Sequence, residues 1–418
     1  MRVCPARSFD SRAAGAPGTA IAPGGEIARS VRSLKSVVVW SRLMSRLGFH
    51  HIAWSKTEPA RHRFDLADSS VATPDLAALG LPHQTSLPKD GYAHALPALE
   101  RALAARVSAP GGRVLVTAGA SEANACVCGG LLSAGDEVLV ECPGYEPHRA
   151  LVPLFGATLR RFTRARERAY AGFAPAVEAS LSSATRLVVV SHLHNPSGVL
   201  LEEADVEVLD RLAERHDFHV LCDETFRDTA GGRLCTLAGR GPRWVCTSSL
   251  TKSYGLGGLR IGWIAGNGEA LERCAAAQNG LSVNPALPSV ALALALAPHL
   301  DRLLERSHRL LAQNHARWSA FAERCRAAGG SAGFDPGVPS RGTTAWCLFS
   351  AEPGGDAFAE FASRRFDLAL TPGRFFGEPR GVRVGLGSEP ERFTGALAQL
   401  ERALMEFVEV GTRSGAIA

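Results

Sequence analysis

The feature that most constrains this chain is an alternation. Between Arg113 and Ser249, short β-branched runs alternate with stretches of helical periodicity. Arg113–Thr117 reads as a strand, followed by the small-residue turn Ala118-Gly119-Ala120-Ser121 and a helix to about Leu132. Strand Val138–Glu141 ends at Pro143-Gly144-Tyr145, and strand Leu187–Ser191 leads into His194-Asn195-Pro196-Ser197-Gly198. Residues 202–216 read as a helix with Val206, Leu209, Leu212 and Ala213 on its buried side. Strands Phe218–Cys222, running into Asp223-Glu224, and Val245–Ser249 complete the series. Such alternation needs crossover connections, which set strands parallel and cover both faces with helices. The expected fold is α/β, with a mostly parallel sheet sandwiched by helices. Ligands bind outside the carboxyl ends of strands in such sheets, and Gly119, Tyr145, Asn195, Asp223 and Lys252 all fall there.

The flanks read differently. Residues 1–40 are rich in Arg, Ser, Ala, Gly and Pro without periodicity, and are expected to form a disordered tail. An organelle targeting segment or a mis-assigned start would share that composition. Residues 41–75 are expected to form an arm, with a short helix Ser41–Trp54 and an extended segment from Phe64 to Val71. A large domain spans 76–300 and includes a helix from Leu96 to Val107. A helix over Leu300–Ala327 then crosses into a smaller C-terminal α+β domain, 301–418. There, strands Thr343–Phe349, Leu368–Leu370 and Val382–Leu386 accompany helices Asp356–Arg364 and Glu389–Val408.

Composition narrows the function. The net charge of +5 comes from scattered arginines with no dense basic block, so no nucleic-acid partner is expected. The most apolar segment, Val290–Pro298, is too short to span a bilayer, so no membrane partner is expected. Ten cysteines follow no repeated spacing, and Cys126 and Cys128 lack a second pair to complete a zinc site. Free thiols in a reducing, cytoplasmic location are expected.

Chemistry centres on Ser248-Ser249-Leu250-Thr251-Lys252, followed by a glycine-rich turn and Arg260. A lysine among hydroxyls and glycines can sit in a tight cleft, lose its proton and condense with an aldehyde. Ser249, Thr251 and Arg260 can hold a phosphate. Aldehyde plus phosphate points to pyridoxal 5′-phosphate (PLP). From this stretch alone, an ordinary polar loop with a solvated lysine is equally open.

The ordered set over residues 50–408 resembles the fold-type I PLP enzymes, and within them the class I/II aminotransferases, in a bacterial subgroup that also resembles capreomycidine synthase. The resemblance implies a role for each motif residue. Lys252 would form the Schiff base and shuttle the α-proton, and Asp223 would bind the pyridine nitrogen. Asn195 would donate to the cofactor's phenolic oxygen, and Tyr145 would stack on the ring. Gly119, Ala120, Ser121, Ser249 and Arg260 would hold the phosphate. Tyr92 would reach the phosphate of a neighbouring subunit, which implies a homodimer with shared sites. Arg383 would clamp the substrate's α-carboxylate. The substrates implied are an α-amino acid and a 2-oxo acid. Side-chain selectivity is expected from the segments around Ser69-Ser70 and Ser282–Pro285. Trp346 and Phe375 would favour apolar or aromatic side chains unless they belong to the core.

One position departs from the family. Three residues after Asp223 the family commonly has a tyrosine, and here Phe226 has no hydroxyl to donate to the phenolic oxygen. That oxygen keeps more negative charge, so the Schiff-base proton is expected to persist to higher pH. A pH titration of cofactor absorbance should give a lower midpoint in Phe226→Tyr than in the unaltered protein; equal midpoints refute the effect. The departure leaves β- or γ-elimination, replacement or cyclisation as the alternative to transamination. A ligand-sensor role would need an N-terminal DNA-binding domain, and the first 40 residues lack the periodicity for one.

Overall fold

The structure is a computed structural model that describes residues 48–231, 235–327, 333–337, 341–350 and 354–413. The tail expected at residues 1–40 and the first half of the expected helix Ser41–Trp54 lie outside the described residues. The part of that helix that is described is α1, His50–Ser55.

The arm continues as the two-residue strand β1, Phe64–Asp65. Helix α2, Tyr92–Val107, starts four residues before its apolar repeat and contains Pro97 in its first turns. Then follow β2 (Leu115–Thr117), α3 (Ala120–Leu131), β3 (Glu137–Cys142), α4 (Glu146–Leu151), β4 (Thr158–Thr163), α5 (Ala174–Ser180) and β5 (Thr185–Ser191). The series ends with α6 (Glu203–His216), β6 (His219–Asp223), β7 (Trp244–Ser249), β8 (Gly262–Ala265), α7 (Gly268–Leu281) and α8 (Leu287–Leu296).

These strands form a seven-stranded sheet in the order β2-β8-β7-β6-β5-β3-β4. Neighbours from β7 to β4 are parallel, whereas β8 runs antiparallel to both β7 and β2. The sheet is therefore mostly parallel, as expected. Strand β8 was hidden in the sequence because Gly262-Trp263-Ile264-Ala265 reads as the tail of a glycine-rich loop. Strand β4 was hidden because Arg160 and Arg161 interrupt its apolar residues at an edge of the sheet.

Alternate strand residues face opposite layers. Val188, Val190 and Val220 pack with Leu99, Leu103 and Val107 of α2 and Val206, Leu209 and Leu212 of α6. Leu187, Val189 and Leu221 pack on the other face with Cys126 and Val127 of α3 and Leu271 and Cys274 of α7. Both faces are covered, which is why these strands are continuous apolar runs.

Helix α9, Leu300–Ala327, leads to a second sheet. Strands β9 (Phe334–Asp335), β10 (Thr344–Phe349), β12 (Thr371–Pro372) and β13 (Gly381–Gly385) pair antiparallel in the order β12-β13-β10-β9. Helices α10 (Gly354–Phe366) and α11 (Pro390–Arg413) pack with α9 around Trp318, Phe321, Phe358 and Phe393. The strand expected at Leu368–Leu370 is β11 (Leu368–Ala369), which pairs in parallel with β1; β12 follows it in the chain and joins the second sheet.

The helical stretch Leu287–Ala327 contains a window of mean hydropathy 1.3, apolar enough to cross a membrane by length and composition. This corrects the reading that the chain holds no such run. The stretch is broken at Pro298 by a short 3-10 turn, and Val290, Leu296, Leu300 and Leu303 all belong to the main core. Of that window, 28% is buried.

Candidate active site

The carboxyl ends of β3, β5, β6 and β7, the start of α3 and the arm surround one cleft of about 860 Å³. Lys252 lines it, in the loop after β7. Its Nζ donates to Ser70 Oγ at 3.1 Å, and its carbonyl accepts the Val71 N–H at 3.0 Å. The arm is thus fastened to the lysine loop. Glycine is required at Gly255, where φ is +69° and a Cβ would lie 2.7 Å from the Ala72 carbonyl oxygen. Burial lowers the Lys252 amine below its ordinary pKa, Arg383 and Arg260 add to the shift, and Asp68 and Asp223 offset part of it.

Asp223 ends β6, and both oxygens of its carboxylate have partners. Its Oδ2 accepts from Asn124 Nδ2 at 3.1 Å and faces His148 Nε2 at 3.0 Å, and its Oδ1 accepts the Thr225 N–H at 3.0 Å. Burial alone would raise its pKa; the bond and charge of His148 and the Thr225 contacts outweigh it, and the net shift is downward. The group stays ionised inside the protein.

Arg383 projects from β13, lines the same cleft and is 3% exposed. Its Nη1 donates to Asn195 Oδ1 at 3.1 Å, and its Nη2 donates to the Ala67 carbonyl at 3.2 Å. Its Nε has no hydrogen-bond partner among the described residues. Burial pulls its pKa down to about 10, so it remains a cation at neutral pH. The bond to Oδ1 also orients the Asn195 amide, leaving Nδ2 as the free donor.

The turn at Gly119 caps α3. Gly119 has φ +86°, and a Cβ there would collide with the Arg260 guanidinium. Arg260 itself adopts a left-handed φ of +52° and donates from Nη2 to the Ala118 carbonyl at 3.2 Å. Exposed Ser121 and the free N–H groups of a 12-residue helix face the same space, an arrangement suited to a dianion. Ser249 is buried and accepts the Thr251 N–H at 3.3 Å. Tyr145 meets His148 edge-on at 5.3 Å, and Phe226 lines the cleft.

The structure gathers Ala120, Ser121, Tyr145, Asn195, Asp223, Ser249, Lys252, Arg260 and Arg383 in this cleft, with Gly119 beside Arg260. Tyr92 is not among its lining residues and donates to the Pro285 carbonyl at 2.8 Å. Ser282–Pro285 does not line the cleft either. Trp346 is core, packed edge-on against Phe376 at 5.3 Å, and Phe375 is buried against His51. Sequence reasoning missed Asn124 and His148, the partners of Asp223. The available signal was spacing: Asn124 is one helical turn after Ala120, and His148 is three residues after Tyr145.

The family profile for "Aminotransferase class I and II" matches residues 83–400. The chain belongs to that family. Capreomycidine synthase of Streptomyces vinaceus is 31% identical over 73% of this chain and 78% of its own length. The arginine–pyruvate transaminase AruH of Pseudomonas aeruginosa is 30% identical over 67% and 72%. Among solved structures, a PLP-dependent aminotransferase from Streptococcus suis shares the fold with a TM-score of 0.75 at 20% identity, covering 85% of this chain and 96% of that one. A class I and II aminotransferase works with PLP, and the donors found here fit it. They supply an amine with a lowered pKa, a buried anion, an anion-binding helix start cleared by a glycine, and a guanidinium with an unused N–H.

Proposed function

We propose that this enzyme transfers the amino group of an α-amino acid to a 2-oxo acid. The observation that carries the reading is the convergence of Lys252, Asp223, Arg260 and Arg383 on one cleft. When bound, PLP supplies an aldehyde for amines and a ring that takes up the electron pair released at the substrate's α-carbon. Lys252, its ammonium destabilised by burial, provides the neutral amine that removes the α-proton and later returns one. Asp223, held ionised by His148 and Thr225, would keep a proton on the ring nitrogen. Tyr145 would flank the ring, and Asn195 Nδ2 would donate to its phenolic oxygen. Gly119, Ala120, Ser121, Ser249 and Arg260 take the phosphate. Arg383 binds the substrate's α-carboxylate and so fixes which bond at the α-carbon lies in reach of Lys252.

Tyr92 is assigned to the phosphate side of a second copy's site in a homodimer. The family resemblance supports this, as does the exposure of Ser121 and Arg260 on that side. A cytoplasmic location is in keeping with nine free cysteines among the described residues.

The second reading is elimination, replacement or cyclisation at the β- or γ-carbon, favoured by Phe226 and by the similarity to capreomycidine synthase. Stoichiometric enzyme mixed with single amino acids should accumulate pyridoxamine phosphate and 2-oxo acid. Consumption of the amino acid with the cofactor left in its aldehyde form would select the second reading.

A further inference from the structure

With the expected partners assigned, the cleft retains two carboxylates that make no close ion pair among the described residues. Lys252, Arg260 and Arg383 serve the aldehyde, the phosphate and the α-carboxylate, and Asp223 serves the ring nitrogen. Asp65 and Asp68 are left over, and Lys56, exposed at the mouth, is the other charged lining residue. Both aspartates are exposed to the cleft. Asp65 Oδ1 accepts the N–H groups of Ala67 at 2.7 Å and Asp68 at 3.2 Å. Asp68 Oδ1 accepts the Ser70 N–H at 2.8 Å. These turns hold the carboxylates in place and leave the second oxygen of each free. Neither aspartate is in an ion pair among the described residues.

An independent feature points the same way. His51, on α1, lines the cleft although it is only 4% exposed. Its ring stacks on Phe375 at 5.1 Å and meets Tyr145 edge-on at 5.7 Å, which fixes its plane. Its Nδ1 has no hydrogen-bond partner among the described residues. Burial, then the charges of Arg383, Lys252 and Arg149, holds the imidazole neutral. A neutral imidazole offers one acceptor nitrogen to an incoming N–H. Trp54 lines the same wall, where a ring can cover a methylene stem or a guanidinium plane.

We infer that this arm-built wall takes an α-amino acid whose side chain ends in a cation, a guanidinium or an ammonium, paired by Asp65 and Asp68 and hydrogen-bonded to His51. The inference rests on the amino-acid reading above and adds the substrate class. An acidic side chain would face two like charges. An aliphatic one would leave the two carboxylates and the imidazole without partners, a cost for any group that closure takes out of water.

The test is a titration of the PLP-loaded full chain with arginine, ornithine, citrulline, norleucine and glutamate, with dissociation constants read from cofactor absorbance. Citrulline matches arginine in length without the charge. Arginine or ornithine should bind at least about tenfold more tightly than the other three, the scale of one hydrogen bond to a charged group. The Asp65→Asn/Asp68→Asn double variant should lose most of that preference, and His51→Phe should weaken the cationic ligands further than His51→Gln. Citrulline or norleucine binding as well as arginine, a preference surviving in the double variant, or no ligand perturbing the spectrum would each overturn the inference. Borohydride labelling of Lys252 in the same samples separates the two readings. Labelled protein without a preference for cations refutes the substrate class alone, whereas unlabelled protein refutes the cofactor reading beneath it.

Discussion

Lys252→Ala should abolish turnover, with kcat reduced by at least about 10⁴-fold, because the substitution removes both the covalent attachment point and the proton carrier. The expectation follows from position. Nζ is held by Ser70 in a cleft where burial already favours the neutral amine. The other lysine on the cleft wall, Lys56, is exposed at the mouth. Lys252→Arg is the sharper control: it keeps a cation and a donor near Ser70, yet a guanidinium does not condense with an aldehyde and stays protonated. Both variants should fold, since the loop is also fixed by the main-chain bond between Val71 N–H and the Lys252 carbonyl. Borohydride reduction followed by peptide mapping should place a pyridoxyl group on Lys252 in the unaltered protein and on no residue in either variant. A label on another lysine, or turnover within tenfold of the unaltered enzyme, would remove the central assignment.

Much of this site was legible because its residues come from the punctuation of an α/β sheet. Each strand announces itself as an apolar run, and the residue just beyond it lies on the binding edge of the sheet. Gly119, Tyr145, Asn195, Asp223 and Lys252 could be read in this way without knowing which strand adjoins which. What stayed hidden depends on side chains meeting across separate elements. The link between Arg383 and Asn195 spans 188 positions, and nothing local in either segment marks it. His148 and Asn124 converge on Asp223 from two different helices. The arm was the least legible segment, because its shape is set by the surface it crosses. Gly385 and Gly387 lack side chains where the backbone of Asp68 and Ser70 passes over them, so the path of the arm is encoded more than 300 residues away. Trp346 and Phe375 were readable as substrate-facing rings only until the second sheet buried them.

Asp223→Asn should lower kcat by about 10³-fold, equivalent to roughly 4 kcal/mol in the barrier. The amide keeps the shape and can still accept from Asn124, but it carries no charge to hold a proton on the ring nitrogen, and the ring becomes a weaker electron sink. Asp223→Glu keeps the charge with a longer reach and should recover part of the loss; equal loss in both variants would show that shape, and not charge, is what the site requires. The same carboxylate links activity to stability. Its pKa in the folded protein lies below the ordinary 3.8. Its contribution to stability is therefore fully present above about pH 4 and is lost as pH falls through the folded value. Asp223→Asn removes that dependence. Urea unfolding at pH 6 and pH 3 should show a smaller acid-induced drop in the midpoint for the variant than for the unaltered protein. A drop of the same size in both would mean that His148 and Thr225 do not hold this carboxylate ionised, and the proposed control of the ring nitrogen would fall with it.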